Sequence, residues 1–250
     1  MRRIDQLERH IPTTVATLRK LARGRFELFP PRFTFALNEL HIRIKTLFGQ
    51  TPGTYFEVGA NDGVSQSNTA YLEKYCGWTG ILVEPVPHKF VQCKLNRPGS
   101  AVFHAALVPM DYPDKYVELH YSDLMTISTL SERRAQCESL LSGRNHLRAD
   151  GALHGQIFVA PAMTVMDVWH LARKPQIDFF SLDVEGAELP VLSGIDFNTF
   201  RPKYFLIETT NLPAVVDLLS GHGYQYTSQW SHHDHLFSLS ENTRPCSYCK

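Results

Sequence analysis

The chain has 250 residues, 43% of them hydrophobic, and its 25 basic and 25 acidic side chains cancel. That length and content suffice for one sizeable α/β core plus an extension, and the balanced charge argues against a nucleic-acid partner. No apolar run is long enough to span a bilayer, and the opening Met1–His10 stretch lacks the apolar core of a secretory signal. The five cysteines are scattered, which suits a reducing compartment, so a cytoplasmic protein is expected.

Residues 1–52 read as a basic helical extension, with ten basic and four acidic residues in the first fifty, a net of +6. Val15, Leu18, Leu21 and Ala22 recur at helical spacing, as do Leu37, Leu40, Ile44, Leu47 and Phe48. Pro30-Pro31 separates the two patterns, and Thr51-Pro52-Gly53 closes the region. Two uses fit: a helical cap on a sheet with its basic face in water, or a surface that docks an anionic glycolipid or membrane.

Residues 53–240 form the main domain, opening on a short β-prone run from Thr54 to Val58 that ends in a glycine-rich turn. The turn reads Glu57-x-Gly59-x-Asn61-x-Gly63, not the three glycines that let a pyrophosphate rest on a helix N-terminus. A carboxylate there suits a cationic amino group, and Glu84, ending the next apolar run, suits two ribose hydroxyls. A ligand with an amino-acid tail and a ribose but no phosphate is S-adenosylmethionine. Ser67, Asn68 and Thr69 open the following helix and would meet the tail's carboxylate. Pro85 fixes the turn after Glu84, and Ala105 is small enough to leave room for an adenine face.

Beyond this, apolar strands alternate with helical patterns, which predicts a mostly parallel sheet. Strands are expected near 54–58, 80–84, 101–107, 178–183, 203–208, 224–229 and 235–239. Helices are expected near 67–76, 86–96, 164–173, 186–193 and 213–221. The short connection Trp230–Asp234 makes the last two strands an antiparallel hairpin. Residues 108–160 form a long insert, with an added strand pair at 116–121 and 156–159, read as a lid over the acceptor. Residues 241–250 are expected to be a solvated tail.

Asp183 and Glu185 follow the strand at 178–183, at the carboxyl end where open α/β sheets carry reactive groups. A carboxylate there could take a hydroxyl proton, hold a divalent cation such as magnesium, or cap the helix that carries Glu188. Glu208, at the tip of the next strand, could complete a carboxylate cluster or a metal site with Asp183. His232-His233-Asp234-His235, with Cys246 and Cys249, invites a zinc reading, but adjacent histidines point to different sides. His233 remains a rival base.

Several words occur in unbroken order: Phe56-Glu-Val-Gly-Ala-Asn-Asp-Gly63, Ser67-Asn-Thr69, Gly77-Trp78-x-Gly80, Glu84-Pro85-x-Pro87, Asn96-Arg97-Pro98, Leu182-Asp-Val-Glu-Gly-Ala-Glu188 and Ile207-Glu208. Together they resemble the FkbM-type methyltransferases, a branch of the S-adenosylmethionine-dependent class I enzymes, over roughly residues 54–240. The resemblance implies a Rossmann-like sheet and O-methylation of a hydroxyl on a sugar, glycan, glycolipid or polyketide-like metabolite. It also implies a role for Asp234, since the family carries an acidic residue just before its last strand. Two other classes stay open: a non-catalytic module that kept the fold, and a nicotinamide-dependent oxidoreductase.

Overall fold

The computed structural model describes residues 35–38, 40–121, 126–130 and 156–240. The first helical pattern of the basic extension, the middle of the insert, and Cys246 and Cys249 lie outside them. The elements are α1 (Leu40–Phe48), β1 (Thr54–Val58), α2 (Ala70–Cys76), β2 (Thr79–Glu84), α3 (Pro87–Asn96), β3 (Ala101–His104) and β4 (Ala106–Leu107). Then follow β5 (Tyr116–His120), β6 (Ile127–Ser128), β7 (Ile157–Met163), α4 (Val165–Leu171), β8 (Phe179–Leu182) and α5 (Glu188–Leu192). The chain continues with β9 (Tyr204–Glu208), α6 (Leu212–Gly221), β10 (Tyr224–Gln229) and β11 (Asp234–Leu239).

A seven-stranded sheet runs in the order β10-β11-β9-β8-β1-β2-β3. The β1, β2, β3, β8 and β9 pairings are parallel, and β11 enters antiparallel between β9 and β10. The β10–β11 register slips between Tyr226 and Ser228. This is the expected Rossmann-like sheet, mostly parallel with an antiparallel C-terminal hairpin.

Because side chains alternate across a strand, β1 feeds two cores. Phe56 and Val58 face one, with Phe180, Phe205 and residues of α4, α5 and α6. Tyr55 faces the other, with Leu40 and Ile44 of α1, Leu72 of α2, Cys93 of α3 and Phe179. Fully burying each such large apolar side chain contributes about 1.5–3 kcal/mol. The second helical pattern of the extension is thus a cap on the sheet, and no boundary at residue 52 divides it from the domain.

The helix ends show why the chain folds this way locally. Ser67 Oγ accepts from the N–H of Ala70, the first residue of α2, at 3.0 Å, while the N-cap residue Thr69 makes no side-chain cap of its own. Gly77 closes α2 in the left-handed conformation, at φ 69°. Thr164 and Asp167 form a reciprocal capping box at the start of α4.

The third strand departs from expectation. The 101–107 run breaks at Ala105: β3 stays in the main sheet, while β4 leaves it to pair with β7 in a second sheet ordered β4-β7-β5-β6. The strand pair expected in the insert is present, with Tyr116 opposite Pro161 and His120 opposite Ile157. The described part of the insert is therefore an ordered sheet with its own small core of Ala106, Val108, Val117, Leu119 and Ala160. Among the described residues no helix is long and apolar enough to cross a membrane.

Candidate functional site

The tips of β1 and β8 meet at Gly59. Its φ is +82°, and a Cβ there would run into the carbonyl oxygen of Asp183, so only glycine fits. The turn after it is held by carboxylates. The Asn61 N–H donates to Glu84 Oε2 at 2.7 Å. The N–H groups of Val64 and Ser65 donate to Asp62 Oδ1 at 2.8 and 2.6 Å. With these donors committed, the turn is no cradle for a pyrophosphate, which removes the basis of the nicotinamide reading.

Glu57, Ser67, Asn68 and Thr69, expected around the amino-acid tail, do not reach the cavity. Glu57 is 3% exposed. Its carboxylate accepts from Ser67 Oγ at 2.9 Å, from the Asn68 N–H at 2.8 Å and from Thr69 Oγ1 at 2.6 Å. A buried charge survives only when paired and hydrogen-bonded, and here the pairing faces the helix layer behind the turn. Glu57 shares a strand face with Tyr55, so the period of two already pointed it there.

The cavity opens at the carboxyl ends of β1, β2 and β8 and encloses about 870 Å³, its open mouth included. Of the expected cofactor residues, Gly59, Asn61, Glu84, Pro85 and Ala105 line it, as do Asp183 and Glu185. Residues not singled out from sequence complete the wall, chiefly Ser65, Gln66, Lys89, Leu119 and Ser128. Leu119 and Ser128 are paired across the second sheet, so the insert supplies a wall of the cavity.

Glu84 is 5% exposed and accepts from the N–H groups of Asn61 and Val86. Burial pushes its carboxyl up to about 7, against the pull of those two N–H groups and of Lys89. Asp183 is raised well above the ordinary carboxylate range, by burial first and then by Glu208, Glu185, Asp234 and Glu188. Asp234 lies opposite Glu208 in the β11–β9 ladder and is itself raised by burial. Glu208 and Asp234 do not line the cavity but press their charge on Asp183 from the neighbouring strands. Glu188 caps the turn, accepting from the Gly186 N–H at 2.7 Å. Glu185 is held at φ +55°, a conformation rare outside glycine and asparagine.

Two expectations are corrected. Among the described residues no three His, Cys, Asp or Glu side chains converge on a point that could hold a metal ion, so magnesium at Asp183 and Glu208 has no support. His233, the rival base, is exposed and off the cavity wall, its ring packed on His232 at 4.5 Å. His235 is buried in the hairpin.

With this geometry in place, the methyltransferase FkbM domain model matches residues 57–226. The chain belongs to the FkbM methyltransferase family. FkbM membership makes it an S-adenosylmethionine-dependent methyltransferase. No curated protein matches the sequence. Among solved structures it is similar to a TehB-like SAM-dependent methyltransferase from Corynebacterium glutamicum, at 9% identity and TM-score 0.41, covering 92% of this chain and 100% of that one. A methyltransferase from Pyrococcus furiosus matches at 11% identity and TM-score 0.41, covering 91% and 96%. Likenesses this remote say nothing of substrate or site.

The pocket of this FkbM protein has a strand-tip carboxylate on its wall, small residues beside it and no phosphate cradle, and the expectation that Glu84 holds the cofactor's ribose makes a testable prediction. A carboxylate that accepts two ribose hydroxyls must be ionised. With Glu84 near 7 in the free protein, affinity for S-adenosylhomocysteine should strengthen as pH rises from 6 to 8. Binding at pH 7 should release a proton, read as a dependence of calorimetric heat on buffer ionisation enthalpy. Glu84→Gln should abolish that pH dependence and weaken binding by roughly tenfold to a hundredfold, the worth of a charged hydrogen bond. A pH-independent wild-type affinity would place the ribose elsewhere.

Proposed function

We propose that the chain O-methylates a hydroxyl of an acceptor such as a sugar, glycan, glycolipid or polyketide-like metabolite, with Asp183 taking the hydroxyl proton. The observation that carries this is Asp183 itself: a carboxylate on the cavity wall, at the carboxyl end of β8, with its proton affinity raised by burial and by acidic neighbours. An alcohol is a poor nucleophile near neutral pH, and a positioned base is worth about 10²–10⁴-fold.

Glu84 would hold the ribose, Ala105 and Pro85 would flank the base, and Gly59 and Asn61 would border the tail. Bound there, S-adenosylmethionine supplies an electrophilic methyl group on a sulfonium. In transfer the acceptor oxygen would take the methyl as the carbon–sulfur bond breaks, S-adenosylhomocysteine would leave as the neutral thioether, and the hydroxyl proton would pass to a carboxylate oxygen of Asp183. The second sheet, through Leu119 and Ser128, narrows the cavity and limits water around the acceptor. The carboxylates around Asp183 favour an uncharged acceptor over an anionic one. The basic N-terminal segment, net +6 over residues 1–50, would contact an anionic glycolipid or membrane.

The test is incubation with S-adenosylmethionine and a panel of neutral polyols, sugars and glycolipids. Release of S-adenosylhomocysteine should accompany a mass gain of one methyl on a hydroxyl oxygen. Methyl found only on nitrogen or carbon would overturn O-methylation while leaving the cofactor assignment intact.

A further inference from the structure

The largest fully buried side chain among the described residues is not apolar but Arg97, just past the end of α3. Its guanidinium makes contacts in every direction that a planar fork allows. Nη1 donates to the Gly63 carbonyl at 2.9 Å and to Ser67 Oγ at 3.1 Å. Nη2 donates to Thr69 Oγ1 at 2.9 Å and to Tyr55 OH at 2.6 Å. Nε donates to Glu73 at 2.7 Å, and Glu57 lies 3.8 Å away as a second counter-charge. The preceding Asn96 donates to the Asp62 carbonyl at 2.8 Å. Gly63 has no side chain because one would meet Arg97 Cγ at 2.8 Å and Cys93 Sγ at 2.9 Å.

All of this converges on the back of one segment. Residues 59–67 carry left-handed conformations at Gly59, Asn61, Gly63 and Gln66, a run that no ordinary backbone preference would hold. Their front presents Gly59, Asn61, Ser65 and Gln66 to the cavity. We propose that Arg97 is a positioning residue for the cofactor: it clamps the 59–67 turn from behind through Gly63 and Ser67, anchors it to the start of α2 through Thr69, and so fixes the cavity wall without touching the ligand. Glu57 belongs to the same clamp as its counter-charge. The inference rests on the cofactor occupying this cavity.

Lysine cannot reproduce the fork, since a point charge cannot serve Gly63, Thr69, Tyr55 and Glu73 together. Arg97→Lys tests the clamp directly. Thr69→Val removes one arm of the fork, together with the hydroxyl's bond to the counter-charge Glu57, and keeps the shape, so the test survives if Arg97→Lys does not fold. Asp178→Ala is the control: it breaks the contacts to the Thr54 N–H and Lys203 at the opposite end of the strands. Titration with S-adenosylhomocysteine, at a temperature where circular dichroism shows each variant folded, should find affinity lowered about tenfold or more in the two clamp variants. Their kcat at saturating cofactor should stay within about threefold of wild type, because a loose wall is a binding defect. Asp178→Ala should bind like wild type even at an equal loss of melting temperature. Wild-type affinity in both clamp variants, or an equal loss in Asp178→Ala, overturns the clamp. Failure of the wild-type protein to bind S-adenosylhomocysteine overturns the cofactor's place in the cavity, and the clamp with it.

Discussion

Asp183→Asn should lower turnover by about 10²–10⁴-fold, on the order of 3–5 kcal/mol of barrier, while S-adenosylhomocysteine affinity barely changes. The substitution keeps the shape and removes a proton acceptor from the cavity wall. Wild-type turnover should climb with pH until Asp183 is fully ionised, because its raised proton affinity keeps it neutral in acid. The asparagine variant should lose that limb. Stability should move the other way. A carboxyl raised in the folded state stabilises below its unfolded value and withdraws that contribution as pH rises through the folded value. Removing Asp183 therefore makes the protein more stable than wild type at alkaline pH. A variant that is less active yet harder to melt marks a group kept for chemistry. Turnover equal to wild type would remove Asp183 from the mechanism.

The second large effect is expected at Gly59→Ala. The residue sits at φ +82°, and its missing side chain is the space taken by the Asp183 carbonyl. An alanine adds strain of about 1–3 kcal/mol and overpacking of similar size. The two strand tips must separate, which displaces Gly59, Asn61 and Asp183 together. The midpoint should fall on the order of 10 °C, from about 2–4 °C per kcal/mol in a domain of this size. S-Adenosylhomocysteine binding should be lost before the fold is, and thermal melts with and without ligand would show it as a vanished ligand-induced shift. A preserved shift would mean that the turn tolerates a side chain.

The strand–turn–helix opening, the strand sequence and the antiparallel close were legible because each rests on local pattern: apolar period, glycine turns, one short connection. That Asp183 and Glu84 lie on the cavity wall was legible because each stands at the carboxyl end of an apolar strand, where a parallel sheet opens its crevice. Glu57 was assigned to the ligand because its place in the motif outweighed its parity. Two residues short of Gly59 and in step with Tyr55, it had to enter the helix layer. Arg97 could not be read at all, since an arginine in a loop is ordinarily solvated and its partners come from Tyr55, Gly63, Ser67, Thr69 and Glu73. The departure of β4 at Ala105 was hidden because its partner, β7, lies beyond the long insert.

One of the two edge strands of the main sheet, β10, bears on how copies of this chain behave toward one another. One of its sides pairs with β11, and among the described residues no strand pairs with the other. An open edge of this kind is a template on which a second chain can pair and aggregate. Here the strand reads Tyr-Gln-Tyr-Thr-Ser-Gln, mostly exposed and polar. Its register slip between Tyr226 and Ser228 bends the ladder away from the flat geometry that edge-to-edge association needs. By placing the apolar strand β11 inside the sheet and the polar, bulged one outside, the hairpin guards the molecule against sticking to its own kind.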